Sequence, residues 1–486
     1  MLFLNLLVMS AVVAAAARSP PELTVLTSSG PVQGIYNDSA STVRAFLGVP
    51  YAEPPTGDLR FAPPRPKSPS RIPINASTFS GPCPQAYQYD NQSIWSILPY
   101  EIWNPVQMTE DCLSVNIWAS SGRNRREKAT VMLFIHGGGF SEGAGSVGFY
   151  DGTNLVRDNE DVVVVTFNYR LNVFGFPNAP GLELTEQNVG LLDQRLAVEW
   201  VHENIANFGG DPDRILLFGQ SAGAVSVDTY SYAYPDEPLV SALALQSGTI
   251  SLIENTDQAH RNWNQLSTAV GCGSGTQSLP CMRQAPFEKI VGAVASGSYS
   301  FTPVADNRTF FSDYVTSARS RRQARLPTLG GINEREFSAS LPLDQPSVNE
   351  TQVISDVYNM FSCPLYEAIG LRLQQHIPTW RYVYHGNFTN LSPTPWLGAY
   401  HSAEIPMLFG TYNMTNLPPR PASNEIEVSK YLQGAWVAFA KDPHKGLYNY
   451  GWPQFSFDES TLVNLGVGDR PGAVLSSAGE WDRHCI

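Results

Sequence analysis

Short continuous apolar runs, separated by segments with helical spacing, constrain the fold of this 486-residue chain more than any other feature. A strand that is buried on both faces reads as an unbroken apolar run, whereas a half-exposed strand alternates apolar and polar residues. Between two of the runs, residues 191–207 carry Leu192, Leu196, Trp200 and Ile205 at helix-like spacing. The runs are Val131–Ile135, Val162–Thr166, Arg214–Phe218, Ala242–Gln246, Leu326–Gly330 and Trp380–Tyr384. This alternation predicts an α/β fold: one mostly parallel central sheet with helices on both faces.

The charge balance excludes one class of partner. The chain has 31 Lys and Arg against 44 Asp and Glu, a net charge of −13. Binding to phosphate backbones requires a basic surface, so nucleic acid is not expected as a partner.

The N-terminal 17 residues form an uncharged apolar run that ends in small residues before Arg18. The run is shorter than the roughly 20 apolar residues that a membrane span needs, and it predicts a cleaved signal peptide. A buried N-terminal helix or an uncleaved anchor is the alternative. No second run of spanning length follows, so we expect a secreted protein without a transmembrane segment. Residues 18–486 are expected to form a single domain.

Sequons and cysteines agree with export. An even number of cysteines without a C-x-x-C pair favours disulfides in an oxidising compartment, and six cysteines allow 15 pairings. No His, Cys or Asp cluster has metal-ligand spacing, so neither a metal nor a cofactor is expected. The candidate glycosylation sites are Asn37, Asn75, Asn91, Asn307, Asn349, Asn387, Asn390 and Asn413. The cysteines are Cys83, Cys112, Cys272, Cys281, Cys363 and Cys485.

The motif with the clearest chemistry is G-x-S-x-G at residues 219–223, with Ser221 at its centre. It follows the run that ends at Phe218 and precedes a segment that can start a helix. A nucleophile elbow needs this context, because a sharp strand-to-helix turn exposes the serine oxygen. The alternative is a turn of small residues that arises by chance.

A second motif, His-Gly-Gly-Gly-Phe at residues 136–140, directly follows the run Val131–Ile135. Consecutive glycines leave backbone N–H groups free to converge on the oxyanion that forms in ester hydrolysis. The motif precedes the serine motif, which is the order that an α/β-hydrolase requires. We expect His136 to be structural, because the catalytic histidine comes last in that order.

These motifs resemble the type-B carboxylesterase/lipase family, which includes the cholinesterases. The matching stretches are residues 46–62, 110–119, 136–140, 168–170, 188–213, 219–223 and 245–249. The resemblance implies an α/β-hydrolase fold with the backbone N–H groups of Gly138, Gly139 and Ala222 as oxyanion donors. It also implies three disulfides, which are Cys83–Cys112, Cys272–Cys281 and Cys363–Cys485.

The remaining catalytic residues follow from chain order together with the resemblance. The acid should come after a late strand and the histidine after the last one. The family pattern G-x-N-x-x-E matches residues 331–336 and selects Glu336, with Glu334 as the alternative. The family pattern H-x-x-E-I selects His401, with His385 as the alternative.

The sequence therefore predicts a secreted serine hydrolase that cleaves uncharged carboxylic esters through an acyl-enzyme. In this mechanism Ser221 attacks, His401 transfers protons and Glu336 orients the imidazole. Gln220 stands where many relatives carry glutamate, which disfavours a cationic choline ester as the substrate. An interfacially activated lipase and a non-catalytic binding or adhesion protein are the alternatives. The apolar stretch 94–103, inside the Cys83–Cys112 loop, is either packed on the core or forms a substrate flap.

Overall fold

The computed structural model describes residues 21–37, 39–86, 93–97, 107–121, 127–253, 260–344, 348–415 and 417–485. The predicted signal peptide, residues 1–17, lies outside these ranges, as does Asn91. In the described ranges the strands form two sheets, one of eleven strands and one of three. The strands are β1 (Thr24–Thr27), β2 (Gly30–Gln33), β3 (Ile35–Asn37), β4 (Ala40–Pro50), β5 (Ile74–Asn75), β6 (Ser114–Ser120), β7 (Ala129–Ile135), β8 (Val162–Phe167), β9 (Gly210–Gln220), β10 (Ala242–Gln246), β11 (Thr328–Asn333), β12 (Thr379–Tyr384), β13 (Leu462–Leu465) and β14 (Ala473–Ser476).

The large sheet has the order β14-β13-β12-β11-β10-β9-β7-β8-β6-β4-β3, and β1, β2 and β5 form the small sheet. Its centre, from β8 through β7 and β9 to β13, is parallel throughout. Antiparallel pairs lie only towards the two edges, where β14 joins β13 and where β6, β4 and β3 extend the sheet beyond β8. The predicted α/β-hydrolase fold is confirmed, and all six apolar runs lie wholly or largely within strands of the parallel centre.

Helices cover both faces of the large sheet. The helix predicted at residues 191–207 is α4, one residue longer at its C-terminal end and two longer at its N-terminal end. One π-helical turn, Tyr358–Ser362, connects α10 to α11. The α-helices are α1 (Ile94–Ile97), α2 (Thr153–Asp158), α3 (Asn172–Gly175), α4 (Val189–Phe208), α5 (Ala222–Ala233), α6 (Arg261–Val270), α7 (Ser278–Gln284), α8 (Phe287–Ser296), α9 (Tyr314–Arg319), α10 (Glu350–Val357), α11 (Cys363–Gln374), α12 (Ile405–Phe409), α13 (Ser423–Lys441), α14 (Gly446–Asn449) and α15 (Gly479–Asp482).

Strand β7 shows why the runs are apolar without alternation. Its side chains point to opposite faces in turn, as in any strand. Val131 and Leu133 join the hydrophobic core under α4, whereas Met132 and Phe134 join a second core that includes residues of α12 and α13. Because both faces are buried, every position of the strand except Thr130 is apolar.

Three disulfides join the pairs that the family resemblance implies: Cys83–Cys112, Cys272–Cys281 and Cys363–Cys485. The last one ties the start of α11 to the C-terminal end of the described chain. No helix in the described ranges has the length and apolar character needed to cross a membrane.

Candidate active site

Ser221 lies in the turn between the end of β9 and the start of α5. Its backbone has φ 57° and ψ −124°, a region that non-glycine residues rarely occupy, so the turn is strained. A Cβ atom on Gly223 would lie 2.0 Å from the carbonyl oxygen of Ile135, so only glycine fits there. The strained turn holds the Ser221 side chain at the surface of an internal cavity, as a nucleophile elbow does.

The structure brings Glu336, rather than Glu334, to His401. The Nδ1 atom of His401 lies 2.6 Å from Oε2 of Glu336, whose side chain is fully buried. The other carboxylate oxygen accepts a hydrogen bond from the backbone N–H of Asn333 at 2.7 Å. Burial is the largest single influence and would lower the pKa of His401, but the attraction and hydrogen bond to Glu336, together with the attraction to Glu404, outweigh burial and raise it. Glu336 therefore holds the imidazole with Nδ1 protonated and favours its charged form.

The alternative pair, Glu334 and His385, forms a separate contact. The Nδ1 atom of His385 lies 3.2 Å from Oε2 of Glu334, and Nε2 lies 3.0 Å from Oδ1 of Asn464. Both residues line a cleft outside the cavity that holds Ser221 and His401.

The second ring nitrogen of His401, Nε2, contacts Gln220, and this contact was not predicted from the sequence. Nε2 of His401 lies 3.0 Å from the amide nitrogen of Gln220. With Nδ1 protonated, Nε2 has a free lone pair, so the Gln220 amide donates to it. Ser221 Oγ makes no hydrogen bond with any residue in the described ranges. Catalytic hydrogen bonds often form only when substrate is bound.

The His136–Phe140 loop lies beside the elbow. Gly138 and Gly139 have φ of 102° and 60°, and both line the cavity of Ser221. The backbone N–H groups of Gly138, Gly139 and Ala222 donate to no other described residue, which leaves them available to a ligand. His136 is buried and stacks on Tyr169, and burial lowers its pKa to about 4, so its ring is neutral and structural.

A buried carboxyl group, Glu404, lies behind His401. It accepts hydrogen bonds from Nδ2 of Asn333 at 2.6 Å and from Nε2 of Gln246 at 3.1 Å. Burial and repulsion from Glu336 raise the pKa of Glu404 to about 7. Sequence reasoning used Glu404 only as part of the motif that identified His401 and did not predict its burial.

The cavity has a volume of 530 Å³ and is lined by nine apolar or aromatic side chains, nine polar side chains and four glycines. Trp95, from the Cys83–Cys112 loop, contributes to its wall and packs edge-on against Tyr400 at a ring distance of 5.9 Å. In the apolar stretch 94–103, Ile94 is thus packed in the core and Trp95 is part of the cavity wall, and residues 98–103 lie outside the described ranges. Phe361, from the π-helical turn, lies 5.2 Å from the His401 ring.

Within the described ranges, no group of three or more His, Cys, Asp or Glu side chains is arranged to hold a metal ion.

The sheet and the strained serine turn define an α/β-hydrolase. The chain belongs to the carboxylesterase family, whose model matches residues 21–360 and 345–472. It is 40% identical to a chlorogenic acid esterase of Aspergillus niger over 95% of this chain and 94% of that protein. It is 35% identical to secreted lipase 5 of Gibberella zeae, over 94% and 92% of the two chains. An acetylcholinesterase of Electrophorus electricus is 38% identical over 69% of this chain and 54% of its own length. The protein is thus an enzyme of the carboxylic ester hydrolase class.

Proposed function

We propose that the protein is a secreted serine esterase that hydrolyses uncharged carboxylic esters through an acyl-enzyme. The contact between His401 and the buried Glu336, in the cavity that Ser221 reaches, carries this proposal. It supplies a base next to a nucleophile, with a third group that orients the base.

In the first half of the reaction Ser221 Oγ attacks the ester carbonyl carbon, and Nε2 of His401 accepts the hydroxyl proton. The Gln220 amide must release Nε2 for this step. The N–H groups of Gly138, Gly139 and Ala222 stabilise the tetrahedral oxyanion. Each such donor is worth about 3–4 kcal/mol in the transition state. His401 then gives the proton to the leaving alcohol, and the acyl group stays on Ser221.

In the second half, water attacks the acyl-enzyme with His401 as the base, which releases the carboxylic acid and restores Ser221. The Glu336 carboxylate stabilises the imidazolium that forms in each half. These steps use the ester, one water molecule and the residues named above.

Two features support uncharged esters. The described cavity-lining residues include no lysine or arginine that would bind an anion. Gln220, which replaces the glutamate of many relatives, removes a negative charge that would favour a cation. The aromatic side chains of the cavity wall, which are Trp95, Phe149, Tyr150, Tyr299 and Phe301, suit an ester with hydrocarbon or aromatic groups.

Secretion is supported by the apolar leader and by three disulfides, which persist in oxidising compartments. One relative is itself named a secreted lipase. We infer that residues 1–17 are a cleaved signal peptide and that residues 18–486 form one catalytic domain.

A lipase is the second candidate, because the Cys83–Cys112 loop carries an exposed apolar residue. Ile97, at the end of α1, is 39% exposed, next to the cavity-lining Trp95. An exposed apolar residue next to the cavity lining is the kind of surface that contacts an oil–water interface.

The experiment that tests the proposal measures hydrolysis of p-nitrophenyl esters of increasing acyl length by the wild type and by Ser221→Ala. We expect turnover by the wild type and its loss in the variant. No turnover of any ester by the wild type, or equal turnover by the variant, would refute the proposal. A jump in rate above the solubility limit of a triglyceride would establish the lipase.

A further inference from the structure

The loop that leads into His401, residues 396–400, belongs to no helix or strand. Its shape therefore depends on the hydrogen bonds that its carbonyl groups accept. Arg335, which the mechanism does not use, donates two of them. Its side-chain Nε donates to the carbonyl oxygen of Trp396 at 2.7 Å, and its backbone N–H donates to the carbonyl oxygen of Ala399 at 3.0 Å. Arg335 thus binds this loop from both its side chain and its backbone.

The Arg335 side chain also packs against the backbone of the loop. Gly398 has a φ of 57°, and a Cβ atom on this glycine would lie 2.3 Å from Cδ of Arg335. Glycine adopts this φ without steric cost and leaves room for the arginine stem. The loop is therefore shaped around the Arg335 side chain, with a hydrogen bond on each side of the contact.

An ion pair fixes the other end of the Arg335 side chain. Its two terminal nitrogens donate to the two carboxylate oxygens of Glu350, the first residue of α10, at 2.7 and 3.1 Å. This paired geometry fixes the plane of the guanidinium, so Nε stays directed at the loop. The Arg335 side chain is only 18% exposed, whereas that of Glu350 is 54% exposed. The arginine is thus a largely covered link between α10 and the loop.

The position of this link connects it to catalysis. Arg335 directly precedes the catalytic acid, Glu336, and the 396–400 loop directly precedes the catalytic base, His401. The backbone N–H of His401 donates to the carbonyl oxygen of Glu336 at 3.2 Å, next to the contacts of Arg335. The distance from Glu336 to the imidazole therefore depends on how the loop is held.

We propose that Arg335 is a positioning residue, which holds the 396–400 loop so that His401 stays in its catalytic position. This inference rests on the proposed serine esterase mechanism. A displacement of about 1 Å at a catalytic group can cost about 100-fold in rate. Arg335 is not among the described residues that line the substrate cavity, so its loss should lower kcat and change KM little.

The test measures kcat and KM on a p-nitrophenyl ester for Arg335→Ala and Arg335→Lys, each in the wild type and in Glu336→Gln. In the wild type, Arg335→Ala should lower kcat by about 10–100-fold. Arg335→Lys keeps a donor but not the planar fork, and should restore part of the loss. In Glu336→Gln the orientation that Arg335 preserves is already lost, so Arg335→Ala should lower kcat by less than about 3-fold.

Arg214→Ala is the matched control. Nε of Arg214 pairs with Asp211 at 2.8 Å and a terminal nitrogen donates to the carbonyl oxygen of Lys128 at 2.7 Å, so this arginine also joins a carboxylate to a backbone carbonyl. It lies towards the start of β9, whereas Ser221 follows the end of that strand. The control should leave kcat unchanged.

Thermal unfolding identifies the folded variants, and Arg335→Lys gives the same comparison with a smaller change if Arg335→Ala does not fold. An unchanged kcat in folded Arg335→Ala, or the same fold-loss in the wild type and in Glu336→Gln, would overturn the proposal. A loss of kcat in Arg214→Ala as large as in Arg335→Ala would also overturn it. If the wild type hydrolyses no ester, the esterase function itself is refuted, whereas an active wild type with an unaffected Arg335→Ala refutes this inference alone.

Discussion

The contact between Gln220 and His401 leads to a quantitative prediction for Gln220→Glu. The amide nitrogen of Gln220 lies 3.0 Å from Nε2 of His401, so an ionised carboxylate of similar size would place an oxygen at about hydrogen-bond distance from the ring. An amide donor stabilises the neutral imidazole, whereas a carboxylate stabilises the imidazolium. The substitution therefore raises the pKa of His401.

The size of the shift follows from the geometry. An opposite charge at short range shifts a pKa by about 1–3 units. His401 already pairs with Glu336, and the introduced carboxylate loses hydration in a largely buried position, so we expect about 1–2 units. This shift corresponds to about 1.4–2.7 kcal/mol of differential interaction.

The assay is the pH dependence of kcat/KM on a neutral p-nitrophenyl ester. Only neutral His401 accepts the serine proton, so activity falls as pH drops through its pKa. Raising the pKa of His401 moves the acid limb of the profile to higher pH by the same amount. At a fixed pH below the limb, kcat/KM of the variant is therefore about 10-fold lower for each pH unit of this shift.

The control is Glu334→Gln, which makes the reverse exchange beside His385, outside the catalytic cavity. It should leave the acid limb in place. An acid limb that stays within a few tenths of a unit in a folded Gln220→Glu variant would show that Gln220 does not contact the catalytic base.

Three further predictions concern single groups. Glu336→Gln should lower kcat by about 10²–10⁴-fold while KM changes little, because the imidazole loses the carboxylate that orients it; unchanged kcat would exclude Glu336 from catalysis. Replacing both Cys363 and Cys485 by serine removes the disulfide between residues that are 122 positions apart in the sequence. The free energy of unfolding in denaturant titrations should fall by about 3–5 kcal/mol, because the unfolded chain gains conformational freedom. An unchanged unfolding midpoint would contradict this. Glycopeptide mapping of protein expressed through a eukaryotic secretory pathway should find Asn390 unmodified, because Asn390 is buried and its Nδ2 donates to the carbonyl oxygen of Tyr412 and to Oε1 of Glu425; a glycan there would contradict the packing. The exposed sequons, at which glycans are expected, are Asn75, Asn307, Asn349 and Asn413.

The parallel centre of the sheet could be predicted from the sequence because its cause is local. In β7, which is buried on both faces, residues 131–135 are all apolar, and that pattern is visible without knowledge of the neighbouring strands. The antiparallel strands at the edges of the sheet, such as β3 and β14, could not be predicted in this way. Their residues are partly or largely exposed, so they do not form continuous apolar runs.

The nucleophile turn was also predictable, because its strain requires small residues at fixed offsets from Ser221. The surroundings of the catalytic residues were not. The contact from Gln220 to His401 depends on side-chain torsions. The contact of Arg335 with the 396–400 loop depends on the turn that Gly398 forms with a φ of 57°. Glu404 reaches Gln246 across a separation of 158 residues, which no local pattern reports.

The central claim is that Ser221 carries the acyl group during turnover, and mass spectrometry of the quenched reaction tests it directly. The enzyme is mixed with a p-nitrophenyl ester whose acyl-enzyme hydrolyses slowly, acidified within seconds and digested. The proposed mechanism predicts that the peptide containing Ser221 gains the mass of the acyl group in the wild type and not in Ser221→Ala. An acyl group found on another residue, or continued turnover by Ser221→Ala without this adduct, would contradict it.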